Sequence, residues 1–244
     1  MSLNEGAGLQ QDLTTGRILL IDKPLKWTSF DAVNRVKRTL LEELFRSVQD
    51  PEARKALKKK FKVGHAGTLD PLASGLLILC TGPMTKRIDG IQAQEKEYTG
   101  TVTLGAVTQT YDLESPPEQF KSLEGITAER ILAAAKEFTG RILQYPPAHS
   151  AVLIDGKRAY ELARKGLEVA VKPREVEIKS LEINNINLPT FDFKVICSKG
   201  TYIRSLAHDM GQKLGCGGYL SALRRTRIGN YSVEDAAAPT AIQL

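Results

Sequence analysis

Short apolar runs along the chain alternate with segments in which apolar residues recur every three or four positions. The run RILLIDKP (17–24) predicts a buried strand that Pro24 stops. Thr28 or Ser29 then caps a helix through DAVNRVKRTLLEELFRSV (31–48), whose apolar residues keep helical spacing. PEARKALKKKFK (51–62) predicts a second, strongly basic helix or arm. GLLILCTG (75–82) is a short apolar run bounded by glycines, which predicts a buried strand. EYTGTVTLGAVT (97–108) alternates and is rich in Thr and Val, which predicts another.

In the second half, Thr127 caps a helix over AERILAAAKEFTG (128–140) and Gly140 stops it. Residues 144–166 carry Pro146 and Pro147, a turn at Asp155-Gly156 and a short helix ending at Gly166. REVEIKSLEINNINLP (174–189) and TFDFKVICS (190–198) read as paired strands. GTYIRSLAHDMGQKLGCGG (200–218) is a helix ended by Gly215, and RRTRIGNYSVEDA (224–236) adds one more strand. Helices and strands mix without regular βαβ alternation, and no internal repeat is present. The expected class is therefore α+β, around a mixed but mostly antiparallel central sheet flanked by helices and loops.

Composition narrows the function classes. With 244 residues, 42% hydrophobic and 25% charged, the chain has the profile of a globular protein rather than a disordered one. A net charge of +6 with a pI near 9.2 leans toward a polyanionic partner. Cys80, Cys197 and Cys216 are odd in number and widely spaced, which argues against a disulfide framework or a zinc site. No apolar run is long enough to cross a bilayer, and the N-terminus has no basic-then-apolar leader pattern. The expectation is a reducing cytoplasm, with residues 1–15 forming a loose polar arm.

Several common chemistries lack their signatures. There is no GxxxxGK[ST] phosphate loop, GxGxxG turn or GxSxG elbow, and His65, His149 and His208 lack HExxH spacing. Neither a nucleotide cofactor nor a metal is signalled. What remains is a set of polar groups beside strands: Lys23, Asp70 in GTLDPLASG, Tyr98 in KEYTG, and Tyr202 with Arg204 in SKGTYIRSL. Each has a plain alternative. An isolated Asp-Pro is most often a turn, a strand Tyr is most often packing, and a basic run is most often a solvated face.

Taken together these stretches are far more specific. LLIDKP, GHAGTLDPLASGLL, KEYTGTVTLGAVTQTYD, CSKGTYIRSLAHDMGQKLGCGGYLSALRRTRIG and YSVEDA occur in this order. They resemble the TruB family of RNA pseudouridine synthases, across roughly residues 17–238. The resemblance implies the pseudouridine synthase fold and isomerisation of the uridine at position 55, in the tRNA T loop, with no cofactor and no metal. Residues 16–244 would be the catalytic domain, with residues 144–166 a thumb-like segment that closes on RNA and no C-terminal PUA domain visible. The partner would be the T stem-loop, not a membrane, and the protein would act as a monomer.

Residue by residue, the resemblance makes Asp70 the catalytic aspartate. Tyr98 is the tyrosine stacked on the target base, and Arg204 the arginine paired with the aspartate. It makes Tyr202 a nearby active-site tyrosine and Leu223 an apolar wall of the pocket. His65 and Lys23 line the RNA site, where Asp112 and Lys86 also bind substrate. Lys58, Lys59, Lys60, Lys62, Arg87, Arg224, Arg225 and Arg227 are grouped as candidate phosphate contacts. Two departures from the family pattern stand out: Gln109 replaces the first Asp of T-D-T-x-D, and residues from about 41 to 62 are longer than in short-looped members. The two rival classes are a glycosidic-bond hydrolase acting on nucleic acid and a non-catalytic RNA-binding or tRNA chaperone module. A hydrolase normally needs two placed carboxylates, and Asp112 is the only evident second one.

Overall fold

The computed structural model describes residues 15–242 apart from 151, 155, 168 and 170. Nearly all of the expected N-terminal arm, and Asp155 of the expected turn, lie outside the described residues. The chain forms two compact units, Met1–Gln94 with Arg224–Leu244, and Glu95–Leu223.

The first unit opens with β1 (Ile18–Lys23), α1 (Ser29–Arg46), α2 (Pro51–Lys60), β2 (Val63–His65) and β3 (Ala73–Thr81). A 3-10 turn (Gly82–Arg87) and α3 (Ile88–Gln92) follow. Thr28 caps α1 as expected. Its hydroxyl accepts from the Asp31 amide at 3.0 Å, while Asp31 accepts from the Thr28 amide at 2.8 Å. This reciprocal box satisfies two otherwise orphaned donors. Antiparallel β1 and β2 both pair with β3.

The continuous apolar run of β3 is explained by cover on both of its faces. Leu77 and Leu79 pack with Ile21 against Val36, Leu40, Leu41 and Leu44 of α1. Leu76, Ile78 and Cys80 point the other way, into a cluster with Ala66, Ile91, Ile228 and Val233. A strand buried on both faces has no polar face to show, so the period-2 signal disappears.

The second unit contains β4 (Lys96–Leu104), α4 (Ala128–Glu137), β5 (Gly140–Gln144) and the small hairpin β6 (Leu153–Ile154) with β7 (Lys157–Arg158). It continues through α5 (Ala159–Ala163), β8 (Arg174–Asn187), β9 (Thr190–Cys197) and α6 (Ile203–Leu214). β10 (Gly218–Ile228) ends it, with residues from Arg224 onward belonging to the first unit, where β11 (Tyr231–Ser232) pairs back on β10. The strand order in this unit is β10-β4-β9-β8-β5, and the β4–β9, β8–β9 and β5–β8 ladders are antiparallel. Phe191, Phe193, Val195 and Cys197 alternate inward along β9. α4 packs on α6 and β8.

Three boundaries differ from the sequence reading. α4 ends at Glu137, and Gly140 at φ +99° opens β5 rather than closing the helix. β10 begins at Gly218, six residues before the expected strand. Gln144, expected at the start of a thumb, is the last residue of β5. Its amide group donates to the Tyr202 carbonyl at 3.0 Å and accepts from the Tyr202 amide at 2.7 Å.

Candidate active site

Asp70 lies on the turn between β2 and β3, and the turn is held from several sides. The Ala73 amide donates to the Asp70 carbonyl at 3.1 Å, and the Lys26 amide donates to the Pro71 carbonyl at 2.8 Å. The Ser29 hydroxyl, at the first residue of α1, accepts from the Leu69 amide at 2.8 Å and donates to the Leu69 carbonyl at 3.0 Å. Arg225 is 1% exposed and spreads its guanidinium under the turn. It donates to the carbonyls of Gly67 at 3.0 Å, Thr68 at 3.4 Å and Leu76 at 2.8 Å. Gly75, at φ +100°, lets the Arg225 backbone approach so closely that a Cβ there would collide with it. The carboxylate is therefore displayed on a braced turn, part-exposed beside a buried strand.

Lys23 is fully buried at the end of β1 and donates through Nζ to the carbonyls of Trp27 at 2.6 Å and Pro24 at 3.1 Å. Burial lowers its pKa to about 8; the Asp70 and Asp31 carboxylates oppose that shift, while Arg225 adds to it. Lys23 and Asp70 thus share one electrostatic neighbourhood. His65 ends β2, and burial, with the Arg225 charge, pushes its imidazole below the ordinary value, favouring the neutral form. Lys86 is exposed on the 3-10 turn.

In the second unit Tyr98 is buried on β4, opposite Val195 of β9. Arg204, on the first turn of α6, is 5% exposed. It donates to the carbonyls of Thr110 and His149 at 3.1 Å each, and its Nε lies 3.7 Å from Asp112 Oδ2. Asp112 accepts from the Thr110 hydroxyl at 2.6 Å and from the Glu114 amide at 3.0 Å. A buried arginine and a buried aspartate thus fix the 110–115 loop to α6. The Arg174 guanidinium sits 4.6 Å over the Tyr202 ring. Leu223 is half-buried on β10, and Gln109 is exposed.

The structure also sorts the arginines grouped as phosphate contacts. Arg225 is an internal brace, and Arg224 forms a bidentate pair with Asp22 at 3.0 and 2.8 Å. Neither is an open cation. Ser29 and Gln144 are the positioning residues that sequence reading missed. Ser29 gave only a capping signal, and nothing local marked Gln144.

A family model for the N-terminal domain of TruB family pseudouridylate synthases matches residues 54–203, and one for the tRNA pseudouridylate synthase B C-terminal domain matches residues 204–244. The chain belongs to the TruB family of pseudouridylate synthases. It is 49% identical over 226 residues to tRNA pseudouridine synthase B of Flavobacterium johnsoniae, covering 93% of this chain and 94% of that one. With the Parabacteroides distasonis protein of the same name the identity is 48% over 231 residues, covering 95% and 93%. Among solved structures, it resembles a chain of a Cbf5-Nop10-Gar1 complex at 28% identity and TM-score 0.64, covering 92% of this chain and 52% of that one. A chain of an archaeal box H/ACA Nop10-Cbf5 complex gives 25% and 0.63, covering 95% and 53%. The chain thus spans about half the length of those solved chains. The α+β expectation and the family resemblance both hold. Among the described residues no helix is long and apolar enough to cross a membrane.

Proposed function

We propose that the protein isomerises the uridine at position 55, in the T loop of tRNA, to pseudouridine. The N1–C1′ bond breaks, the uracil turns over, and C5 joins C1′. N1 gains a proton and C5 loses one, so the reaction needs no redox partner and no group donor. The observation that carries this reading is the family match, together with an Asp70 turn braced by Ser29 and Arg225.

Asp70 is the ionised carboxylate of the reaction. Three roles are open to it: attack at C1′, attack at C6, or removal of a ribose proton. Arg204 is the arginine paired with the catalytic aspartate in this reading. Tyr98 stacks on the extruded base and serves the C5 proton. Tyr202 and Leu223 wall the pocket. His65 and Lys86 line the RNA site, and buried Lys23 and Asp112 support it from within. Extrusion of a stacked uridine costs a few kcal/mol, offset by stacking and backbone contacts. The buried free thiols Cys80, Cys197 and Cys216 suit a reducing cytoplasm, where the protein acts as a monomer on the T stem-loop.

The test is Asp70→Asn, which keeps the shape and removes the charge. Tritium release from C5-labelled uridine in tRNA should vanish while tRNA binding largely survives. Turnover within tenfold of the parent enzyme would remove Asp70 from the chemistry. Release of free uracil by the parent enzyme would instead indicate hydrolysis.

A further inference from the structure

The excess of positive over negative charge in this protein is concentrated in one place. Residues 51–62 hold six cations, namely Arg54, Lys55, Lys58, Lys59, Lys60 and Lys62, against one acid, Glu52. The chain as a whole has 34 cations and 28 acids, so the remaining residues carry 28 against 27 and are nearly neutral. Almost the whole net charge of +6 therefore sits on α2 and the two residues after it.

This segment is a built element and not a loose basic tail. Asp50 caps α2 by accepting from the Ala53 amide at 3.0 Å, and Pro51 occupies its first turn. Arg54 is turned inward. It donates to the carbonyls of Val48 at 2.6 Å and Phe45 at 3.0 Å and lies 5.5 Å over the Phe45 ring. At the other end Phe61 is 3% exposed within the core that α1 forms with β1 and β3. Both ends are anchored, yet no residue of the helix is itself buried.

The outer face is left to lysine. Lys55, Lys58, Lys59, Lys60 and Lys62 are all exposed. Lys55 reaches only Glu52, at 3.9 Å with both side chains about 80% exposed, and Lys58, Lys59, Lys60 and Lys62 make no ion pair or side-chain hydrogen bond among the described residues. Cations in a last helical turn suit the helix dipole, but one or two are enough for that. Lys55 with Lys58 and Lys55 with Lys59 are like charges at i,i+3 and i,i+4, an arrangement that destabilises an isolated helix. A face held in place against its own repulsion is complementary to a polyanion.

We infer that α2 is a docking surface for the sugar–phosphate backbone of the RNA stem that carries the target loop. The inference rests on the proposed function for the identity of the RNA. α2 spans about 15 Å, enough to follow several phosphates. It belongs to the same unit as Asp70, and only Phe61 and Lys62 separate it from β2, after which the chain runs through residues 66–69 to Asp70. The helix thus holds the stem while the loop is delivered to the carboxylate.

The experiment compares the parent protein, K58Q/K59Q/K60Q and K58R/K59R/K60R for binding to tRNA across a salt series, with pseudouridine measured in the same samples. The glutamine variant should bind roughly tenfold or more weakly at 0.1 M salt, with its plot of log affinity against log salt shallower by about 2 to 3. The arginine variant should keep the parent slope. Because the three side chains are exposed, neither variant should unfold at lower denaturant than the parent, and relief of like-charge repulsion can only move the glutamine variant's midpoint slightly upward. Equal affinity and slope in the parent and glutamine variant overturn the inference. So does an equal loss in the arginine variant, or a glutamine defect confined to anionic phospholipid vesicles. A parent protein that shows the lysine-dependent slope but makes no pseudouridine defeats the proposed function and leaves the docking surface standing.

Discussion

Nη2 of Arg225 donates to the carbonyl of Gly67 at 3.0 Å, so the turn that carries Asp70 is tied from beneath by a side chain 157 residues from Thr68 in sequence. The same guanidinium reaches the carbonyls of Thr68 and Leu76. Lysine has a single point of donation and cannot span three acceptors in fixed directions. Arg225→Lys is therefore expected to leave buried carbonyls unpaired and to cost about 3 kcal/mol, read by urea denaturation. Turnover should fall further than tRNA binding, because the turn displays Asp70. A stability loss under 1 kcal/mol would show that the brace is dispensable.

Lys23 gives a pH dependence with a definite sign. Its pKa is lowered to about 8 from 10.5, so between these values the unfolded chain holds more protons than the folded one. Stability then rises with pH through this window, and Lys23's contribution is complete only above 10.5 and lost as pH falls through about 8. Comparing the parent protein with Lys23→Met from pH 7 to 10.5 isolates the effect. The difference should move in favour of the parent by up to about 3 kcal/mol. A flat difference across this range would mean that the ammonium is well solvated.

Asp209 behaves in the opposite direction. Desolvation on α6 raises its carboxyl to about 6 from 3.8. Its favourable contribution is present below 3.8 and lost as pH rises through about 6. Asp209→Asn is expected to stabilise the protein by about 1–3 kcal/mol at pH 7 and to give no gain near pH 4. Thermal melts at the two pH values decide the matter, and a gain of equal size at both would point to packing instead of charge.

The segment after Gln144 is expected to order on RNA. Its hairpin β6–β7 has two residues per strand, α5 buries only Ala159, and Leu153 and Leu167 are more than half exposed. Elements with so little buried apolar surface sit at the low end of local stability. Hydrogen exchange across residues 152–166 should slow on adding a T stem-loop, whereas Leu76–Cys80 of β3 should be protected throughout. Strong protection of 152–166 without RNA would show a preformed segment.

Much of the architecture was legible because its signals are local. Thr28 with Asp31 announces the start of α1, and Gly215, at φ +85°, announces the end of α6. The glycine-bounded run 75–82 could be read as buried from its apolar continuity alone. The family motif around Asp70 singled out the carboxylate proposed for the reaction without any coordinates. Short elements escaped: β2 and β5 have too few residues to show a period and exist through pairing with β3 and β8, while the β6–β7 hairpin has only two residues per strand, paired with each other. The neighbours Arg224 and Arg225 make the limit plain. By sequence both are surface cations suited to phosphate, yet on β10 one faces Asp22 and the other runs inward beneath the Asp70 turn. Successive strand residues point to opposite faces, so which face is buried depends on what packs there. Likewise, Arg204 meets Asp112 and the Thr110 carbonyl from more than ninety residues away. Residue type and local spacing thus determined the chemistry on offer, while tertiary packing decided which charges are left at the surface and which hold the turn that carries Asp70.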